Sequence, residues 1–216
     1  MIDWQFITFL GDSIITMPAA AAIVVWLVSA GAWRSAVSWS LLFGGAIMLV
    51  LASKIAFIGW GIGIPGLDFT GISGHAMRAA AVLPVVAYLL LQQAGRRLCV
   101  WAVVIGVAAA GLIGLSRLIL HFHSVSEVLA GTVLGMLVAM AFIWRSEGQP
   151  GLRLPRSVVG LTLLALVPSA YAEPAPTGAW VTTVALYLSG HERPYVRKPD
   201  GELARAPAAL EEQQSD

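Results

Sequence analysis

Between residues 116 and 131 the chain reads SRLILHFHSVSEVLAG, and two of its side chains have the types and spacing of an acid–base pair. If residues 123–127 are helical, His123 and Glu127 stand four apart on one face. The carboxylate can then hold one ring N–H of the imidazole and fix its tautomer. His121 is two positions away and points elsewhere on any helix, so it reads as structural or as part of a rim. Arg117 closes the preceding apolar run, and its planar guanidinium fork matches the geometry of a phosphoryl group. Two other readings of the cluster stay open. His121, His123 and Glu127 include ligand types that zinc accepts, and Arg117 with Glu127 could form a plain loop salt bridge. An imidazole backed by a carboxylate, with an arginine nearby, describes metal-free phosphoryl transfer more economically, and neither a metal nor another cofactor is expected.

A second polar stretch, GISGHAMRAA at residues 71–80, lies between two apolar runs. Ser73, Gly74 and His75 open the third run, where free backbone N–H groups and the positive end of a helix dipole favour an anion such as phosphate. Gly74 permits close backbone approach, and Ser73 suits a helix cap or a phosphate donor. On its own Ser-Gly-His is a weak signal, which a plain helix cap followed by a satisfied histidine explains better. Arg78, three residues beyond His75, shares its face. The alternative is an arginine that snorkels to the head-group layer or pairs with Asp68.

These groups must be held by elements inside a membrane. Of 216 residues 58% are hydrophobic and 12% charged, with mean hydropathy +0.80, against about 25% charged in ordinary soluble domains. Uncharged runs at Ile14–Trp33, Ser35–Ser53, Ala79–Gly95, Leu98–Ser116, Val128–Trp144 and Ser157–Ala172 come close to the 17–25 residues a spanning helix needs. They predict an all-α integral membrane bundle of about six transmembrane helices. Arg34, Arg96, Arg97, Arg145, Arg153 and Arg156 fall in alternate loops, which the positive-inside rule assigns to the cytoplasm. Residues 54–75 and 116–127 then share the outer side.

The last run, with a basic start and an Ala170-Tyr171-Ala172 ending, has the anatomy of an export signal, which an inside-to-outside final span also explains. The expected organisation is a transmembrane domain over 1–172 and an extracytoplasmic, partly disordered tail over 173–216, with an interfacial helix near Ala179–Ser189. Lys and Arg form no block interleaved with aromatics, so no nucleic-acid partner is expected. Cys99, the single cysteine, reads as a small buried residue.

The two polar clusters resemble the type 2 phosphatidic acid phosphatase family, membrane lipid phosphatases that share three motifs with the vanadium haloperoxidases. The third motif, Ser-Arg-x5-His-x3-Asp, appears as Ser116-Arg117, His123 and Glu127, with glutamate for aspartate. The second, Pro-Ser-Gly-His, appears as Ile72-Ser73-Gly74-His75. Of the first, Lys-x6-Arg-Pro, Lys54 is present while Gly61 and Ile62 stand where arginine and proline belong. The resemblance implies that His123 attacks phosphorus to give a phosphohistidine, that Glu127 orients it, and that His75 protonates the leaving oxygen. Lys54, Ser73, Gly74 and Arg117 would hold the phosphoryl oxygens, with Arg78 the candidate replacement for the missing guanidinium. It implies a phosphatase at the outer, periplasmic face of a bacterial inner membrane, acting on a membrane phospholipid or a polyprenyl phosphate. Phosphatidic acid, phosphatidylglycerol phosphate, undecaprenyl diphosphate and lipid A phosphates are all candidates. The rivals are a lipid-to-lipid phosphotransferase and a non-catalytic relative that binds or transports phospholipid.

Overall fold

A computed structural model describes residues 3–147, 153–168, 176–198 and 203–206. In chain order the helices are α1 (Trp4–Phe9), α2 (Ser13–Ser29), α3 (Trp33–Trp60), α4 (Gly74–Leu91), α5 (Arg96–Ile119), α6 (Val125–Glu147), α7 (Arg156–Leu166) and α8 (Thr177–Ser189). A 3₁₀ turn lies at Pro65–Leu67, and two three-residue strands, β1 (Tyr195–Arg197) and β2 (Leu203–Arg205), pair antiparallel. The chain divides into two compact units, one of residues 1–47 and 73–175, the other of residues 48–72 and 176–216.

Five segments are long and apolar enough to cross a membrane: Trp4–Ser29, Trp33–Trp60, Gly74–Leu91, Arg96–Ile119 and Val125–Ser146. The sixth expected span, Ser157–Ala172, is represented by α7, whose 11 residues rise only about 16 Å. Ala170-Tyr171-Ala172 lies outside the described residues, as do residues 173–175, 199–202 and 207–216 of the tail expected to be partly disordered. Nearly every span reaches further toward its charged end than the uncharged runs suggested. The first begins at Trp4 instead of Ile14, and α4 begins at Gly74 instead of Ala79. A charged side chain ends a hydropathy run, but a helix ends only where its backbone hydrogen bonds do.

In the first unit α4 is the central helix, packed on α5 and α6 and buried from Gly74 to Leu89 along one broad face. Small residues make this possible, since helices in lipid associate through close backbone contact and not through hydrophobic exclusion of water. Gly131 and Gly135, one turn apart on α6, face α4. A Cβ at Gly131 would collide with the Ser73 carbonyl oxygen, and one at Gly135 with that of Met77. Ala79, Ala80, Ala110 and Ile113 form the small-residue core beneath the site, while large apolar side chains such as Ile105, Leu129 and Val133 face outward. At the other end of the helices, Trp39 stacks on Phe43 (5.1 Å between ring centres) and meets Phe142 edge-on (5.5 Å), its indole N–H donating to the Ala20 carbonyl (3.0 Å). Arg145 there donates to Ser38 (3.3 Å).

The second unit is tied by charge and by turns. Arg197 Nε pairs with Asp68 Oδ1 at 2.7 Å, and the Ile72 N–H donates to Ser53 Oγ (3.0 Å). His191 Nδ1 lies 2.7 Å from the Gly59 carbonyl oxygen. The α8 helix covers the stretch where one was expected.

Candidate active site

The N-termini of α4 and α6 are locked together by backbone. Ser73, at the N-cap position of α4, donates its N–H to the Glu127 carbonyl oxygen (3.1 Å). With Gly131 admitting the Ser73 carbonyl one turn further along, the Ser73-Gly74-His75 turn and the first turn of α6 form one rigid corner.

On the α6 side, His123 Nδ1 lies 2.6 Å from Glu127 Oε2, and Glu127, 1% exposed, also accepts the Ser124 N–H (3.2 Å). A carboxylate this buried is tenable because it is multiply hydrogen-bonded. It holds the imidazole by Nδ1, which fixes the tautomer and orients the Nε2 edge of the His123 ring. His121 behaves differently. It has φ +56 in the turn that ends α5 and is exposed.

The α5 side contributes Arg117 from its last turn. Its Nη1 donates to Thr8 Oγ1 (2.9 Å), and its guanidinium lies 4.3 Å from the centre of the Phe122 ring. Arg117 Nε and Ser73 Oγ are both buried without a hydrogen-bond partner among the described residues, a condition that costs about 1–3 kcal/mol per group until an acceptor or donor arrives. Ser73 therefore occupies the cap position without capping through its side chain.

The first span supplies a fourth wall that sequence reasoning missed. It breaks between α1 and α2, and Asp12 caps α2 at the break, its Oδ1 accepting from the Ile14 N–H (3.0 Å) and Ser13 Oγ (3.1 Å). Asp12 Oδ2 faces His75 Nε2 at 3.3 Å. Arg78 Nε donates to Thr16 Oγ1 (2.9 Å) and its Nη2 to the Gly11 carbonyl (3.4 Å). The partner weighed for Arg78, Asp68, is instead held by Arg197. Two signals for this wall lay in the sequence. Gly-Asp-Ser before an apolar run is an N-cap signature, and the arginine alternation puts the start of the first span on the same side as both polar clusters.

Ser73, Gly74, His75, Arg78, Arg117, His123 and Glu127 thus belong to the first unit, linked through α4, α6 and the first span. Lys54 lies half-buried on α3 in the second unit, against Gly71. Gly61, where the first motif would carry its arginine, ends α3 with φ +71, and a Cβ there would lie 2.7 Å from the Tyr195 ring. Left-handed backbone and lack of room both favour glycine. Among the described residues, no three His, Cys, Asp or Glu side chains cluster closely enough to hold a metal ion.

The PAP2 superfamily profile matches residues 57–149, which takes in both polar clusters. The chain is 38% identical over 204 residues to an "Uncharacterized 22.5 kDa protein in cps region" of Klebsiella pneumoniae, covering 91% of this chain and 96% of that protein. It is 39% identical over 74 residues to phosphatidylglycerophosphatase B of Bacillus subtilis, covering 33% of this chain and 36% of that one. No solved structure matches significantly. With both motif turns on neighbouring helix ends of a multi-pass membrane protein, and with these similarities, the chain belongs to the PAP2 superfamily.

Proposed function

We propose that the chain is a metal-independent lipid phosphatase working at the outer face of a bacterial inner membrane through a phosphohistidine intermediate. The observation that carries this reading is the 2.6 Å contact of His123 Nδ1 with Glu127 Oε2. It gives an imidazole of fixed tautomer whose other nitrogen is the nucleophile, as in other base–orienter pairs. In the first step His123 Nε2 bonds to phosphorus as the bond to the leaving oxygen breaks, and His75 gives that oxygen its proton. In the second, water attacks phosphorus, the P–N bond breaks, and the water's proton passes back to His75.

Charge gathers on the three non-bridging oxygens in between, and preorganised donors stabilise it. Ser73 Oγ and Arg117 Nε, buried and without a hydrogen-bond partner among the described residues, suit that task, together with the backbone at Gly74. Arg78, held by Thr16 and Gly11, supplies the guanidinium that the first motif lacks. Lys54 is assigned to the phosphoryl oxygens by the motif alone.

Substrate candidates are those with a phosphate at head-group depth: phosphatidylglycerol phosphate, phosphatidic acid, undecaprenyl diphosphate and lipid A phosphates. The similarity to phosphatidylglycerophosphatase B puts the first of these at the head of the panel. The rivals are a lipid-to-lipid phosphotransferase and a non-catalytic binding or transport relative, and one observation favours the second. Gly61 with its left-handed backbone and Tyr195 neighbour leaves the first motif without its arginine.

The test is phosphate release from that lipid panel by the purified full chain, with and without EDTA and with orthovanadate. Release that survives EDTA and stops with vanadate is expected. Folded protein that releases phosphate from none of the lipids would overturn the hydrolase reading, and loss on chelation restored by zinc would overturn the metal-free chemistry.

A further inference from the structure

Thr8, Asp12 and Thr16 stand four residues apart in the first span, and each meets one charged or ionisable group of the site. Arg117 donates to Thr8 (2.9 Å), His75 faces Asp12 (3.3 Å) and Arg78 donates to Thr16 (2.9 Å). None of the three belongs to a family motif described above. Asp12 is the one that carries charge. It sits within the segment Trp4–Ser29, where a carboxylate is costly unless it is paired and where such a residue marks function by default.

Its two oxygens are divided between two tasks. Oδ1 caps α2 through Ile14 and Ser13, and Oδ2 faces the ring of His75. Capping needs only the first oxygen and no charge, because asparagine caps as well as aspartate. The second oxygen is left to explain. His75 is flanked by contacts that bring in two guanidinium groups, one four residues before Asp12 and one four residues after. An imidazolium in that layer needs a counter-charge, and Asp12 is the carboxylate that touches it.

We propose that Asp12 is a positioning residue for proton delivery by His75. It holds Nε2, keeps the ring charged before transfer, and turns Nδ1 toward the leaving oxygen. When the P–O bond breaks, the His75 proton moves to that oxygen and the ring becomes neutral. When water attacks the phosphohistidine, a water proton returns to the ring and the P–N electron pair returns to His123. Asp12 gains and loses no proton in either step. The inference rests on the phosphatase reading above and adds to it the group that makes His75 an acid.

The test compares two lipid-tailed phosphate monoesters, phosphatidic acid, whose leaving alkoxide requires a proton, and a chain-bearing nitrophenyl phosphate, whose phenolate leaves without one. Asp12→Asn retains the cap and removes the charge. It should lower kcat on phosphatidic acid by about 10²-fold, the usual worth of general acid catalysis. KM and turnover of the nitrophenyl ester should each stay within about threefold, since leaving without a proton makes the acid dispensable. Asp12→Glu should recover about a tenth or more of the lost rate by restoring the charge. Equal losses on both esters, or none on either, would overturn the proposal. A lower KM on both with kcat undiminished would also overturn it, since Asp12 would then be competing with phosphate for the site. A wild-type protein that turns over neither ester removes the phosphatase reading and this inference with it, whereas wild-type turnover with equal losses in Asp12→Asn removes the inference alone.

Discussion

Among the described residues two imidazole–carboxylate pairs stand in the first unit, and they are built in opposite ways. His123 and Glu127 are four residues apart at the start of α6, in contact at 2.6 Å, with the carboxylate 1% exposed. His75 and Asp12 join the third span to the first, 3.3 Å apart, with side chains 21% and 15% exposed. The local pair closes a loop of a few residues, so its entropy cost is small, and the turn that leads into α6 at Val125, where Glu127 also accepts the Ser124 N–H, sets its geometry. The long-range pair exists only because α4 packs where it does, and it is looser and wetter. In the proposed chemistry this is the difference between a nucleophile and a proton donor. The first must present one nitrogen along one line to phosphorus, and the second must exchange a proton with the leaving group and with water.

If that contrast is right, the largest effect comes from the tight pair. His123→Ala should lower kcat by about 10⁴-fold or more, as removal of a nucleophile does, and a residual rate above a hundredth of wild type in folded protein would assign the attack elsewhere. Glu127→Gln should cost about 10³-fold, nearer to loss of the nucleophile than to loss of a binding group, because the orienter fixes the tautomer. A loss in Glu127→Gln that appears in KM with kcat unchanged would make the pair structural. Arg78→Ala should lower kcat/KM by about 10²-fold, the worth of one transition-state donor, with Arg78→Lys recovering only part because an ammonium lacks the fork. Wild-type kinetics in Arg78→Ala would leave the missing guanidinium unreplaced. His121→Ala, lacking a carboxylate at i+4, should stay within about threefold of wild type; collapse equal to that of His123→Ala would mean the wrong histidine has been given the role.

The same contrast explains what could be read from the sequence. The His123–Glu127 contact was legible because the groups stand four residues apart, although the helix expected over 123–127 begins only at Val125 and the contact spans the turn before it. Five of the spans were legible as hydropathy, while their charged ends were not, because the reading stopped at Asp12, Lys54, Arg78 and Arg117, of which the last three lie inside helices and Asp12 caps one at a break within the first span. The sixth was read as long as the others, and α7 is 11 residues. The Asp12–His75 contact depends on the first span lying against α4 and α5, where Gly11 leaves room for Ile113 and His75, and the Gly-Asp-Ser signature marks a helix start without naming the partner 63 residues on. The Gly131-x3-Gly135 spacing was there to be read as a close helix contact. Gly61 was legible as a departure from the motif, but its reason, a helix end with φ +71 against Tyr195, needed a residue more than a hundred positions away.

The central claim is that phosphorus passes through His123. It is tested most directly by quenching the full chain during turnover of a ³²P-labelled lipid phosphate and mapping the label. The account predicts an acid-labile, alkali-stable phosphoprotein with the phosphoryl group on His123, absent from His123→Ala and still formed in His121→Ala. Label on another residue, or turnover through which no phosphoenzyme forms at any quench time, would contradict it.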